Sequence, residues 1–189
     1  MSLSTFLYRL SSGPVTLAAL IGFLLFGGLV LPAQAQKAAL YSNGADSPDT
    51  SFFYSKNDLY KMAEMYGEAG RAEYVRARFS FDLIFPLVYL AFLVTSISWV
   101  FARAFPDAAS RWRLLNLFPV FGAFFDYLEN IAASLVMINY PSQTPGVDGI
   151  APIFTLLKWF FVNGSFVVLA AGLFVMLWRR FASRGSRTP

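Results

Sequence analysis

The stretch LLNLFPVFGAFFDYLENIAASLVMI, residues 114–138, decides the fold: it is long enough to cross a bilayer, yet it carries Asp126, Glu129 and Asn130. About 20 mostly apolar residues span a hydrocarbon core as a helix. A charge near the bilayer centre costs roughly 2.5–3.5 kcal/mol on insertion scales. Such groups therefore face a protein interior, where they pair or line a cavity. The spacing i, i+3, i+4 puts all three on one helical face. A helix of this kind requires other helices around it.

Three further runs supply them: Val15–Leu31, Phe79–Ala102 and Pro152–Trp178. The 189-residue chain is 57% hydrophobic and 14% charged, whereas soluble domains are roughly 45–50% apolar and about 25% charged. Spanning strands would show ~10-residue segments of alternating polarity, and the sequence has none. The expected fold class is all-α: a polytopic membrane protein forming an antiparallel four-helix transmembrane bundle. It is read as a single domain over residues 1–189, with a short amphipathic helix in a first outer loop, residues 34–72.

The chain has no Cys and no His. That removes disulfide exchange, thiol-based quinone reduction, His-ligated haem and ordinary zinc sites. Carboxylate chemistry remains, and no cofactor is implied. The net charge of +4 comes from basic residues scattered around the ends of the apolar runs. They read as topology signals, not as a nucleic-acid surface. There is no glycine-rich phosphate loop, and Ser134 and Ser165 have no His to act as base.

The N-terminus supports two readings. Arg9, the run Val15–Leu31 and the small-residue site Ala33-Gln34-Ala35 together resemble a secretory signal peptide cleaved after Ala35. The run is also near the minimum for a spanning helix, and Gly22, Gly27 and Gly28 suit close helix packing in a membrane. Retention as a first transmembrane helix is the preferred reading. Arg103, Arg111 and Arg113 flank the second loop, Arg179, Arg180, Arg184 and Arg187 follow the fourth run, and the loop Asn139–Ala151 has no Lys or Arg. The positive-inside rule then places both termini and the second loop in the cytoplasm of a bacterial inner membrane. Lys37, Lys56, Lys61, Arg71, Arg76 and Arg78 in the first loop argue against that assignment.

Within the first loop, Ser55 and Asp58 form a capping-box pattern that opens a helix through about Tyr66. Leu59, Met62, Ala63 and Tyr66 give it an apolar face, and Gly67 and Gly70 mark its end. The triplet Phe52-Phe53-Tyr54 anchors its start. From Glu73 the chain is expected to run helically straight into the second spanning helix. The segments Pro48-Asp49-Thr50-Ser51-Phe52-Phe53-Tyr54, Tyr66…Gly70-Arg71…Tyr74, Phe81-Asp82 with Phe85-Pro86, and Phe125-Asp126-Tyr127-Leu128-Glu129-Asn130 resemble those of small four-helix integral membrane proteins of bacteria. The resemblance covers most of residues 48–130 and carries no activity with it.

The second spanning helix contributes Arg78, Asp82 and Tyr89 at i, i+4 and i+11. Pro86 removes the hydrogen bond to the Asp82 carbonyl and is expected to kink that helix, as Pro119 is expected to do at the Leu115 carbonyl. On the fourth helix Thr155, Lys158 and Ser165 share a face that Gly172 continues, and Asn163 lies roughly 140° around from Lys158. At 1.5 Å per residue, Glu129 lies roughly 14 Å and Lys158 roughly 9 Å below the outer surface, within reach of each other if a short loop makes the helices neighbours. The expected pairs are Glu129–Lys158 and Arg78–Asp82, with Asp126 lacking a counter-ion. The candidate site is therefore Arg78, Asp82, Tyr89, Asp126, Glu129, Asn130 and Lys158. A metal is not expected, because Lys158 repels it.

Three functions fit this constellation. The first is a buried ionic cluster that organises the bundle, in an accessory subunit of a membrane complex. The second is an outward-opening lipid or small-molecule pocket, in a binder or an enzyme. The third is a proton or cation pathway. The expected partners are membrane lipid and either another membrane protein or a second copy of the chain, and nucleic acid is excluded.

Overall fold

A computed structural model of the chain describes residues 2–185, with side chains described through residue 182. Arg187 and the side chain of Arg184, both counted in the topology argument, lie outside the described residues. The described residues form helices joined by turns and short connections, with no strand among them. Four helical stretches are long and apolar enough to cross a membrane: Gly13–Tyr41, Lys56–Ala104, Arg111–Asn139 and Val147–Ala182.

Helix α1 (Leu3–Leu10) is capped by Ser2, whose side chain accepts from the Thr5 amide. Helix α2 (Gly13–Tyr41) starts on the Ser12 cap with a Pro in its first turn. It passes through a widened, π-helical turn at Phe26–Val30. Pro32 explains the widening, since its ring would clash with the carbonyl four residues back, at Gly28. The helix does not stop at Leu31 as expected. Ala33 to Leu40 are helix formers without a breaker, so residues 34–41 are helix and not loop. The stop comes at Asn43 and Gly44, both at positive φ.

A strap, residues 42–55, follows and contains the 3-10 turn Pro48–Thr50. Helix α3 (Lys56–Arg78) opens on the Ser55–Asp58 capping box, with both reciprocal hydrogen bonds present. Gly67, at φ 63 and ψ 178, breaks the helical geometry, but the chain resumes helix beyond it. The expected end is a kink, where Arg71 Nη1 donates to the Ala63 carbonyl at 2.9 Å. The straight run from Glu73 into the next helix does not occur either. Ser80 Oγ donates to the Arg76 carbonyl at 2.6 Å and takes the acceptor that its own amide would use in a continuous helix. A turn at Phe79–Ser80 therefore separates α3 from α4 (Phe81–Ala104).

Helix α4 continues through Pro86. Tyr127 Oη donates to the Leu83 carbonyl at 2.9 Å, next to the position that the proline disturbs. After the 3-10 turn Arg111–Leu117 comes α5 (Phe118–Asn139). Pro119 lies in the first turn of α5, where amides have no helical partner anyway. It begins a helix there and does not kink one. Helix α6 (Val147–Gly185) starts five residues before the expected Pro152. The largest interface joins α5 to α6, and α4 packs on both, whereas the most apolar window of α2 has no buried residue.

One apolar cluster gathers Tyr54, Leu59, Met62, Tyr66 and Tyr74 over Ala132, Ala133, Val136 and Met137. A second gathers Tyr89, Phe92, Leu93, Ala123 and Val162. Along α5, Asp126, Glu129 and Asn130 lie between the two, so apolar packing flanks the polar residues along the helix. Gly70 fixes how α3 meets the end of α2, because a Cβ there would run into the Tyr41 carbonyl, which is backbone and cannot swing aside. Gly70→Ala is expected to cost about 1–3 kcal/mol of stability, read as a lower melting temperature in detergent. Gly149→Ala, which meets open space in α6, serves as the control that does not lose stability.

Candidate functional site

Helix α5 turns Asp126, Glu129 and Asn130 inward, at 6%, 1% and 3% exposure. Helix α6 turns in Thr155, Lys158 and Ser165, all buried. Lys158 Nζ contacts Glu129 Oε2. It also donates to Asp49 twice, to Oδ1 at 3.0 Å and to the backbone carbonyl at 3.1 Å. An ammonium has three donors, so this one is saturated. Thr155 Oγ1 donates to the other Glu129 oxygen at 2.7 Å and lies 3.1 Å from Tyr54 Oη.

Asp49 continues the network to the other cation. Its Oδ2 is 3.1 Å from Arg78 Nη1, and Arg78 Nε is 2.8 Å from Asp82 Oδ2. The Arg78–Asp82 pair crosses the Phe79–Ser80 turn, since Arg78 is the last residue of α3 and Asp82 lies in the first turn of α4. The Arg78 guanidinium also lies 4.8 Å from the centre of the Tyr74 ring. Asp126 stands at the other side. Tyr89 Oη donates to its Oδ2 at 2.9 Å and Asn130 Nδ2 to its Oδ1 at 3.4 Å. No cation is ion-paired to Asp126 among the described residues.

Sequence reasoning missed Asp49. It sits in a loop and enters the sequence reading only within the Pro48–Tyr54 segment, not among the candidate site residues. The structure makes it the bridge between Lys158 and Arg78. The strap that carries it is pinned by the Trp159 indole, which donates to the Ser51 carbonyl at 3.0 Å, and by Phe52 against the Trp159 ring. Tyr54 is buried, whereas Phe52 and Phe53 stay exposed, so only one residue of the aromatic triplet anchors inward. The signal in the sequence was Pro48-Asp49-Thr50 beside aromatics, a short turn held against an apolar surface. Burial alone would raise the Asp49 carboxyl pKa, but Lys158 and Arg78 outweigh it and hold the group well below the usual carboxylate range. A depressed pKa stabilises the folded state fully above the ordinary value of about 3.8, and that contribution fades only as pH falls below it. The strap's charge link is therefore constant across neutral pH.

Four carboxyl groups (Asp49, Asp82, Asp126 and Glu129) meet two cations, Arg78 and Lys158. Oxygens of Asp49, Asp126 and Glu129 come within 4.8 Å of one another. The Lys158 ammonium already contacts two of these groups and supplies the positive charge that a metal would bring. Asp126 and Lys158 line a half-open cavity of about 320 Å³ together with Asp49, Thr50 and Tyr89. Most of the remaining wall is apolar and includes Phe23 and Leu31 of α2, Phe85 of α4, and Val162 and Phe166 of α6. Asn163, although offset around α6 from Lys158, lines the same cavity and is exposed. No family model, no curated protein and no solved structure matches this chain.

Proposed function

We propose that this is a non-redox, multi-pass protein of a bacterial inner membrane, its four long helices antiparallel and both termini cytoplasmic. In this reading the chain Asp82–Arg78–Asp49–Lys158–Glu129 is the organiser of the bundle, tying strap, α3, α4, α5 and α6 together. Asp126 is the end of the network left for recognition, at the polar floor of a pocket that takes a lipid-like amphiphile. The observation that carries this reading is the cavity beside Asp126, with an apolar wall and a carboxylate floor.

The chemistry of the floor selects the ligand's head. Lys158 has no donor left, while a carboxylate offers about four acceptor sites, of which Tyr89 and Asn130 use two. Two carboxyl groups in excess over the cations favour a positive or strongly donating group. The head is therefore an amine or a hydroxyl, and the apolar tail lies against Phe23, Phe85 and Phe166. A proton or cation pathway fits less well, because the described residues buried beyond Tyr89 on α4 include Phe92, Leu93, Ile97, Val100 and Phe101 with the hydroxyls of Thr95, Ser96 and Ser98, and none of them is an acid or a base. The contribution of Phe23 and Leu31 to the cavity favours keeping the first helix over cleavage after Ala35.

Cysteine labelling tests the membrane reading, helped by a background free of Cys. Lys61→Cys and Pro145→Cys are expected to react with an impermeant maleimide in intact cells, and Gly185→Cys only after lysis. Reaction of Gly185→Cys in intact cells overturns the orientation. The ligand reading is tested on purified protein in neutral detergent. Dodecylamine is expected to raise the melting temperature, and dodecyl sulfate at equal concentration is not.

A further inference from the structure

The end of the molecule opposite the strap carries a second cavity, of about 250 Å³. Ser2, Ser4, Thr5 and Tyr8 of the first helical segment line it on one side, and Arg111 and Arg113 on the other. Neither guanidinium is ion-paired among the described residues. The sequence supplies little to pair them with: the first acid of the chain is Asp46, and Asp107 is the sole acid between Arg103 and Phe118. Asp107 is used locally, accepting from the Ala109 amide at 2.9 Å. The cavity thus gathers two cations without an ion pair and the hydroxyls of Ser2 and Thr5, which share one hydrogen bond at 2.8 Å and leave one proton to donate, with no carboxylate in its wall.

The cavity is built on a rigid support. Asn116, fully buried, accepts from Ser4 Oγ at 2.8 Å and donates to the Ser4 carbonyl at 3.2 Å and to Ser98 Oγ at 3.1 Å. Tyr8 Oη donates to the Arg113 carbonyl at 3.0 Å, and the Arg113 guanidinium lies 4.1 Å from the centre of the Tyr8 ring. Arg113 is therefore held in place, while the exposed Arg111 closes from outside. Around this end stand further cations, Arg103 stacked on Trp99 and Arg179 on Phe105.

The surroundings are apolar. Leu3, Phe6 and Leu10 of α1 and Leu114 are each about half exposed, and Trp112 more so. On its other flank, α1 borders a groove of about 510 Å³ whose lining includes Leu7, Leu10, Val15, Leu87, Leu90 and Val94. Basic pockets at the cytoplasmic ends of membrane helices hold anionic headgroups, and Arg recognises phosphate through paired N–H donors.

We propose that this cavity binds the headgroup phosphate of an anionic phospholipid, with an acyl chain lying in the groove along α1. Arg111 and Arg113 grip the phosphate oxygens, and the Ser and Thr hydroxyls satisfy the glycerol or headgroup hydroxyls. The proposal rests on the membrane reading above, which cysteine labelling tests separately. It does not depend on the ligand assigned to the Asp126 cavity.

The test compares melting temperatures of the purified full chain in neutral detergent with added phosphatidylglycerol, phosphatidylcholine or inorganic phosphate. Phosphatidylglycerol is expected to raise the wild-type melting temperature at lower concentration than phosphatidylcholine, and inorganic phosphate at equal concentration is expected to leave it unchanged. For Arg111→Gln/Arg113→Gln the concentration giving half the shift should rise about tenfold, the scale of losing charge-assisted hydrogen bonds. Among the described residues Arg111 makes no side-chain hydrogen bond, ion pair or ring contact, so Arg111→Glu alone carries the test if the double variant does not fold; it should weaken the phosphatidylglycerol response. An equal response in wild type and variants overturns the proposal, as does an equal response to the two lipids. A shift produced by inorganic phosphate alone overturns the lipid assignment in favour of a soluble phosphate.

Discussion

Lys158→Met is expected to be the most damaging single substitution in the core, costing about 3–5 kcal/mol, the range for breaking a buried pair from one side. The ammonium is the saturated centre of the network, contacting Glu129 and both the carboxylate and the carbonyl of Asp49. Its removal leaves Glu129 buried with only Thr155 as a polar partner, while Asp49 retains Arg78. Lys158→Met combined with Glu129→Gln should therefore recover part of the loss, and adding Asp49→Asn should recover more. The control is Glu68→Gln, a change on the first loop's surface helix, expected within about 0.5 kcal/mol of wild type. Strictly additive melts for Lys158→Met and Glu129→Gln would show that the two residues are not energetic partners.

The contacts that could be read from sequence are those set by local spacing or by short connections. Arg78 and Asp82, four residues apart, meet even though a turn and not a continuous helix lies between them. Glu129 and Lys158 meet because the connection between α5 and α6 is short and the lysine stem reaches the carboxylate from the neighbouring helix. Asp49 could not be found in this way, since it belongs to a strap with no periodicity, and only the fold returns that strap to the helices. The errors in element boundaries have local causes as well. Residues 34–41 read as loop because the apolar run ends at Leu31, although helix propensity continues to Tyr41. Gly67 read as a terminus because its conformational freedom was visible, whereas the packing of α3 beyond it over α5 was not. Pro119 read as a kink because the preceding 3-10 turn, which makes it a first-turn residue, leaves no periodic signal.

The second large effect concerns Asp126. Asp126→Asn keeps an acceptor for Tyr89, so the fold is expected to remain within about 1 kcal/mol of wild type. The substitution removes the negative floor of the cavity, and binding of an amine-headed amphiphile should fall at least about tenfold, the value of a charge-assisted hydrogen bond. In cells, Asp126→Asn should fail to complement a deletion despite normal insertion. Full complementation by a stable Asp126→Asn protein would reduce the cluster to its organising role.

The most direct measurement follows the cavity itself. Trp159 lines it, whereas Trp99, Trp112 and Trp178 lie elsewhere and can be replaced by Phe to leave one reporter. Titration of this single-Trp protein with dodecylamine is predicted to change Trp159 fluorescence saturably, and Asp126→Asn in the same background is predicted to shift the curve to at least about tenfold higher concentration. A saturable change of equal affinity in both proteins, or no change in either while the protein stays folded, would contradict a pocket with Asp126 as its recognition group.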